Sequence, residues 1–224
     1  MKYVFVDFEM NPIERAYSRE RKLYKQEIIE IGAVMLDEDM NEVSSFKSYV
    51  KPQYSSEIAR KIYELTCITK DDIFYAKTIE VELEAFANWC ANESNDEYVV
   101  YAWSENDLKQ ITNEIDMKSI VISNTLQSVI DSWKDLQLEY DKVIASEKRT
   151  GLTRALESLG IYFEGKMHDA LDDSRNTATI FKELQNPDQM LASMEEIRSY
   201  YSSNTDNKVT LGDLFDFAAL GLSL

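Results

Sequence analysis

The chain opens on Lys2-Tyr3-Val4-Phe5-Val6-Asp7-Phe8-Glu9, an apolar run that delivers two acids two positions apart. A third acid, Asp107, follows a second apolar run, Tyr98-Val99-Val100-Tyr101-Ala102-Trp103. The only histidine, His168, stands five residues ahead of Asp173. Residues two apart on a strand share a face, so Asp7 and Glu9 project side by side. Carboxylates placed like this repel each other, and a divalent cation relieves that repulsion. Four acids and one base are the set needed for two-metal hydrolysis of a phosphodiester. The ions clamp the attacking and leaving oxygens, and the imidazole takes a proton from water.

Each member also has a plainer reading. Asp7 and Glu9 would suit a solvated strand face, but Tyr3 to Phe8 reads as a central strand buried on both sides, where acids are costly. Asp107, taken alone, is an ordinary acid at a helix start, favoured by the helix dipole. His168, taken alone, is a capping or packed imidazole. If the last long helix starts at Asp169 or Ala170, His168 falls in the loop before it. From there it can swing over the site that Asp173 enters from the helix's first turns.

The elements that must position these residues follow from periodicity. Strands are expected over residues 2–8, 28–36, 43–50 and 96–103, with a fifth partly strand segment inside 121–130. The polar turn 37–41 makes the second and third strands an antiparallel hairpin. Helices are expected over 57–65, around Ile79, Leu83, Phe86 and Cys90, and over 106–115, 131–144 and 151–160. Another runs from just after His168 to about Leu184, where Asn186-Pro187 ends it, and a last one covers 188–201. A hairpin followed by strands alternating with helices predicts a mixed sheet with helices on both faces. One domain over 1–201 is expected, then a polar linker over 202–208 and an apolar tail over 209–224. That tail is expected to dock on its own domain, on a protein partner or on a second copy of the chain.

With 224 residues, 44% of them hydrophobic, the chain can bury a substantial core. Its net charge of -17 excludes proteins that grip long nucleic acids through a basic surface. An enzyme whose acids are offset by bound cations remains compatible with it. Cys67 and Cys90 form neither a disulfide framework nor a zinc pattern, which predicts a reducing, cytoplasmic setting. No leader pattern and no run of about 18 apolar residues is present, so no membrane association is expected. The most basic segment follows the first two acids: Arg15, Arg19, Arg21, Lys22 and Lys25, interleaved with Tyr17 and Tyr24. It suits the phosphates and bases of a single strand; a solvated helix face partnered by Glu14 and Glu20 is the alternative.

Taken together, Asp7-Phe8-Glu9, Asp107, His168 and Asp173 resemble the DEDDh, or DnaQ-like, family of 3′-to-5′ exonucleases. The likeness extends to Glu27-Ile28-Ile29-Glu30-Ile31-Gly32-Ala33-Val34, to Gly151–Ile161, and to His168–Ala178 along its whole length. Tyr101-Ala102-Trp103-Ser104 and Asp131–Gln137 look most like the Eri-1 and KapD branch, which includes RNA-trimming enzymes. The resemblance covers about residues 1–185. It implies an RNase H-like α/β fold, a mixed five-stranded sheet with an antiparallel hairpin pair and helices on both faces. It also implies two divalent cations, Mg²⁺ or Mn²⁺. Asp7 would bridge them, Glu9 and Asp173 would complete the ion that binds the attacking water, and Asp107 would support the second. His168 would be the general base. One departure stands out: where many members carry Thr two positions after the first motif's Glu, this chain has Asn11.

The expected function is therefore metal-dependent release of nucleoside 5′-monophosphates from single-stranded 3′ ends, RNA ahead of DNA. A DNA-trimming or proofreading exonuclease is the alternative, as is a regulatory interaction protein that keeps the fold. Candidate substrate contacts are Met10 against the last base, Asn11 at the terminal sugar, Trp103 as a stacking surface, and Arg15, Arg19 and Lys22 on phosphates. Met10 as core filler and Trp103 closing a core strand are their plainer readings.

Overall fold

The computed structural model describes residues 1–95 and 97–203. In chain order the elements are β1 (Lys2–Pro12), α1 (Ser18–Leu23), β2 (Gln26–Leu36), β3 (Glu42–Lys51), α2 (Arg60–Thr66), α3 (Lys70–Phe74), β4 (Lys77–Thr78) and α4 (Ile79–Ser94). There follow β5 (Tyr98–Ala102), α5 (Asn106–Lys118), α6 (Asn124–Asp131), β6 (Trp133–Asp135), α7 (Leu136–Val143), α8 (Leu152–Ser158), α9 (Ala170–Leu184) and α10 (Pro187–Ser203). The strands form one mixed sheet in the order β4-β3-β2-β1-β5-β6. β1, β2 and β3 pair antiparallel in succession, while β5 lies parallel to β1 and β6 parallel to β5.

Strand alternation divides the core between the two faces. Val4, Val6 and Phe8 of β1 pack with Leu83, Phe86 and Cys90 of α4, Ile111 of α5, and Leu126 and Val129 of α6. Phe5 points the other way, into Val34, Leu136, Tyr140, Leu156, Ile180 and Phe181, under α7, α8 and α9. The odd-numbered residues of β1 therefore face α9, and Asp7 and Glu9 continue that row.

Six strands replace the five expected. The added one, β4, is two residues long and too short to leave a periodic signal. The segment 121–130 holds no strand: Ser123 caps α6 by accepting the Leu126 N–H at 3.1 Å. The strand beside β5 is instead Trp133–Asp135, inside the span expected to be helical. Its last residue, Asp135, caps α7 and so sets that helix's start. Cys67 is an exposed left-handed residue ending α2 and Cys90 is buried in α4; both thiols are free. Helix α10 ends at Ser203, two residues into the span expected as linker; the rest of that span, 204–208, and the tail 209–224 lie outside the described residues. Among the described residues, no helix is long and apolar enough to cross a membrane.

Candidate active site

The acids of β1 meet α9 because of one glycine. Gly32 of β2 pairs directly with Asp7. A Cβ at Gly32 would lie 2.1 Å from the Leu171 nitrogen and 2.2 Å from the Ala170 carbonyl carbon, so the first turn of α9 rests on bare backbone. Two residues back, Glu30 pairs with Glu9, and its carboxylate accepts the Ala170 N–H at 3.1 Å. Lys47 of β3 bridges Glu30 at 3.1 Å and Asp169 at 2.5 Å. Asp169 in turn caps α9 by accepting the Leu171 N–H at 3.2 Å. A register shift in β1–β2 pairing after Glu9 keeps Glu30 opposite Glu9 while Ile29 packs in a separate small core with Ile68 and Ile73.

The loop leading into α9 wraps its acids. Asp172 accepts the Lys166 N–H at 2.9 Å, and Gly165, at φ +85°, has no Cβ to strike that carboxylate. Asp173 accepts the His168 N–H at 2.9 Å. His168 itself is left-handed, φ +62°, an uncommon and strained state for a residue with a side chain. This turn leaves the imidazole half-exposed, with Nδ1 3.9 Å from Glu9 Oε1.

Asp107 comes from the first turn of α5 and is buried. Pairing between β5 and β1 stops at Phe5–Tyr101, leaving the end of β1 that carries Asp7 and Glu9 open beside Asp107. Trp103, just past β5, is held by its indole N–H on the Thr150 carbonyl at 3.0 Å. Asp7, Glu9, Asp107, His168 and Asp173 line a single cleft of about 350 Å³ with Trp103, Ser104, Leu152, Thr153 and Met167.

An exonuclease family pattern matches residues 4–181 of this chain. The chain belongs to the DEDDh exonuclease family. It is 32% identical over 196 residues to ERI1 exoribonuclease 2 of Danio rerio, covering 79% of this chain and 34% of that protein. The human ERI1 exoribonuclease 2 is 29% identical over 197 residues, covering 79% of this chain and 27% of its own length. The chain thus spans about a quarter to a third of the length of these two relatives. The nuclease domain of 3′hExo, a DEDDh family member solved bound to rAMP, superposes with a TM-score of 0.71 at 25% identity, covering 83% of this chain and 92% of that one. The fold shared with these DEDDh exonucleases is the RNase H-like one.

Divalent metals serve this family, and the residues of the cleft fit them. Burial, then the charges of Asp107, Asp173 and Glu9, push the Asp7 carboxyl well above its ordinary range. Burial and the neighbouring acids raise Glu9 to about 8. Asp107 and Asp173 rise to about 7, again chiefly through burial. Among the described residues, no Lys or Arg pairs with any of the four. Ligand atoms of Glu9, His168 and Asp173 all lie within 4.8 Å of one another. Crowded, desolvated carboxylates with no Lys or Arg partner fit a hard divalent ion.

The other expected substrate contacts divide. Trp103 lines the cleft while also closing the core, 8% exposed and 5.6 Å from the Tyr140 ring. Met10 is partly buried against the α4-side core. Asn11 is not available to a substrate: its amide donates to the Glu57 carbonyl at 3.0 Å and accepts from the Ala59 N–H at 2.9 Å. It clamps the loop before α2 instead. Arg15 and Lys22 line a separate hollow with Ser18, Arg21 and Lys25, and Arg19 lines neither. Sequence reasoning passed over Glu30, Lys47 and Asp169. An acid inside the apolar run Ile28–Val34 was the available signal for Glu30; Lys47 sits in an ordinary alternating strand and left none.

Proposed function

We propose that this protein is a metal-dependent 3′-to-5′ exoribonuclease that releases nucleoside 5′-monophosphates from single-stranded ends. The observation that carries this is the convergence of Asp7, Glu9, Asp107, Asp173 and His168, from separate stretches of chain, on one cleft. The names of the curated relatives, exoribonucleases, favour RNA over DNA.

Asp7, Glu9, Asp107 and Asp173 would hold two divalent cations, Mg²⁺ or Mn²⁺, which when bound would supply Lewis-acid stabilisation to the attacking and leaving oxygens. His168 accepts the proton of the attacking water on its imidazole. Burial and the nearby Lys166 lower its pKa from 6.5, so the ring is neutral and able to accept at neutral pH. Glu30, Lys47 and Asp169 act one step back, fixing the start of α9 and hence the placing of His168 and Asp173. Trp103 and Met167 offer the terminal nucleotide an apolar wall. Matched single-stranded RNA and DNA, labelled at the 5′ end, test this reading: a ladder shortening from the 3′ end, faster on RNA, is expected. Cleavage of a circular oligonucleotide, or internal fragments in place of a ladder, would refute it.

A further inference from the structure

The cationic hollow beside α1 lies outside the cleft and outside the chemistry above. Arg15, Arg21, Lys22 and Lys25 converge on a space of about 340 Å³. Among the described residues, none of the four forms an ion pair, whereas Lys47, Lys70, Lys118, Arg149 and Arg175 all do. The acids on the same segment do not offset them. Glu14 is engaged elsewhere, accepting from the Ser56 N–H at 2.5 Å and the Ser56 hydroxyl at 2.8 Å. That leaves Glu20 against five cations in residues 15–25, on a chain of net charge -17.

Packing does not explain this concentration. Helix α1 buries none of its residues. The segment is nonetheless fixed in place: the Ile13 N–H bonds the Lys25 carbonyl at 3.1 Å across its base, and the Tyr24 hydroxyl donates to Asp116 of α5. An aromatic surface accompanies the cations. Tyr17, 39% exposed, stands edge-on to Tyr54 with ring centroids 5.3 Å apart. Cations for phosphates and exposed aromatic faces for bases are what single-stranded nucleic acid binds.

The placement follows from β1. Glu9 and Ile13 are four residues apart on the same chain, about 13 Å at strand rise. The base of the segment therefore stands next to the end of the strand that carries Asp7 and Glu9. We propose that this hollow is an RNA-backbone site, holding phosphates of the single strand whose 3′ end occupies the cleft. It rests on the exoribonuclease reading for the identity of the strand. It also supplies what the acidic cleft lacks, a grip on the part of the substrate not being cut.

The test compares the wild-type protein with Arg15→Gln/Arg21→Gln/Lys22→Gln/Lys25→Gln. Affinity for a fluorescent single-stranded RNA is measured against salt in excess chelator, so that nothing is cleaved. Releasing one phosphate from the protein flattens the log–log slope by about 0.7, so a change of about 2 to 3 is expected for the four. Single Arg15→Gln and Lys22→Gln variants should each flatten it by about 0.7, the effect of one phosphate. With metal restored, KM for the long strand should rise, while turnover of a dinucleotide, too short to leave the cleft, should stay at the wild-type rate. Slopes and affinities equal to wild type overturn the proposal, as does a loss equal for long strand and dinucleotide. If neither protein releases nucleotide from any substrate, the exoribonuclease reading fails on its own, and the salt slope still judges the hollow.

Discussion

His168 combines an unusual backbone with an ordinary need. Its φ of +62° is held by its own amide on Asp173, so the residue proposed to move the proton is placed by a residue proposed to hold metal. With its pKa lowered, the rate should be flat at neutral pH and fall only as the ring protonates, below pH 6.5. His168→Gln should lose about 10²–10⁴-fold in kcat and the histidine-linked acid limb with it, read from kcat against pH. The chain has no second histidine to stand in. At the carboxylates the direction is opposite to the usual effect of a mutation. Asp7→Asn removes a carboxyl whose ionisation burial and its acidic neighbours oppose, so the metal-free protein should melt higher while activity is abolished. Each kcal/mol relieved raises the melting temperature by about 2–4 °C at this length, which calorimetry on the stripped protein can resolve.

Helix α9 is seated by Gly32, Glu30, Lys47 and Asp169 as well as by its apolar face. Gly32→Ala forces a methyl into the Ala170–Leu171 backbone and should cost about 1–3 kcal/mol as an overpacking change. It should lower kcat as well, because α9 must move away from Asp7. Lys47→Met should lower kcat with little change in KM, and Lys47→Arg should restore part of it; an unchanged kcat in Lys47→Met would remove the residue from the positioning network. The pairing of Asp7 with Glu9 on one face was readable because strand side chains alternate, and their cost was readable because the run Tyr3–Phe8 is apolar on both faces. The start of α9 was readable to within a residue, at Asp169 or Ala170, from the periodic run after His168. What escaped were features set by tertiary neighbours. β6 is three residues long and is strand because β5 lies beside it; Asn11 is a clamp because the loop at 57–59 reaches it. Lys47 matters because β3 brings it to Glu30, and no local pattern encodes that meeting.

For the molecule as a whole, the cleft couples stability to pH and to metal. A carboxyl whose folded-state pKa is raised lends stability that is complete below its unfolded value, near 4, and is lost as pH climbs through the folded value. With Asp107 and Asp173 raised to about 7 and Glu9 to about 8, the metal-free protein should lose stability as pH rises from about 4, the loss being complete once pH has passed through about 7 to 8. Self-repulsion at net charge -17 adds to that trend. Saturating Mn²⁺ should raise the melting temperature most at the alkaline end, and Asp7→Asn/Asp173→Asn should flatten both dependences. The most direct test of the central claim is mononucleotide release from single-stranded RNA by chelator-stripped protein titrated with Mg²⁺ or Mn²⁺. Release should be absent without metal and return in proportion to its binding; undiminished release in excess chelator would contradict the account.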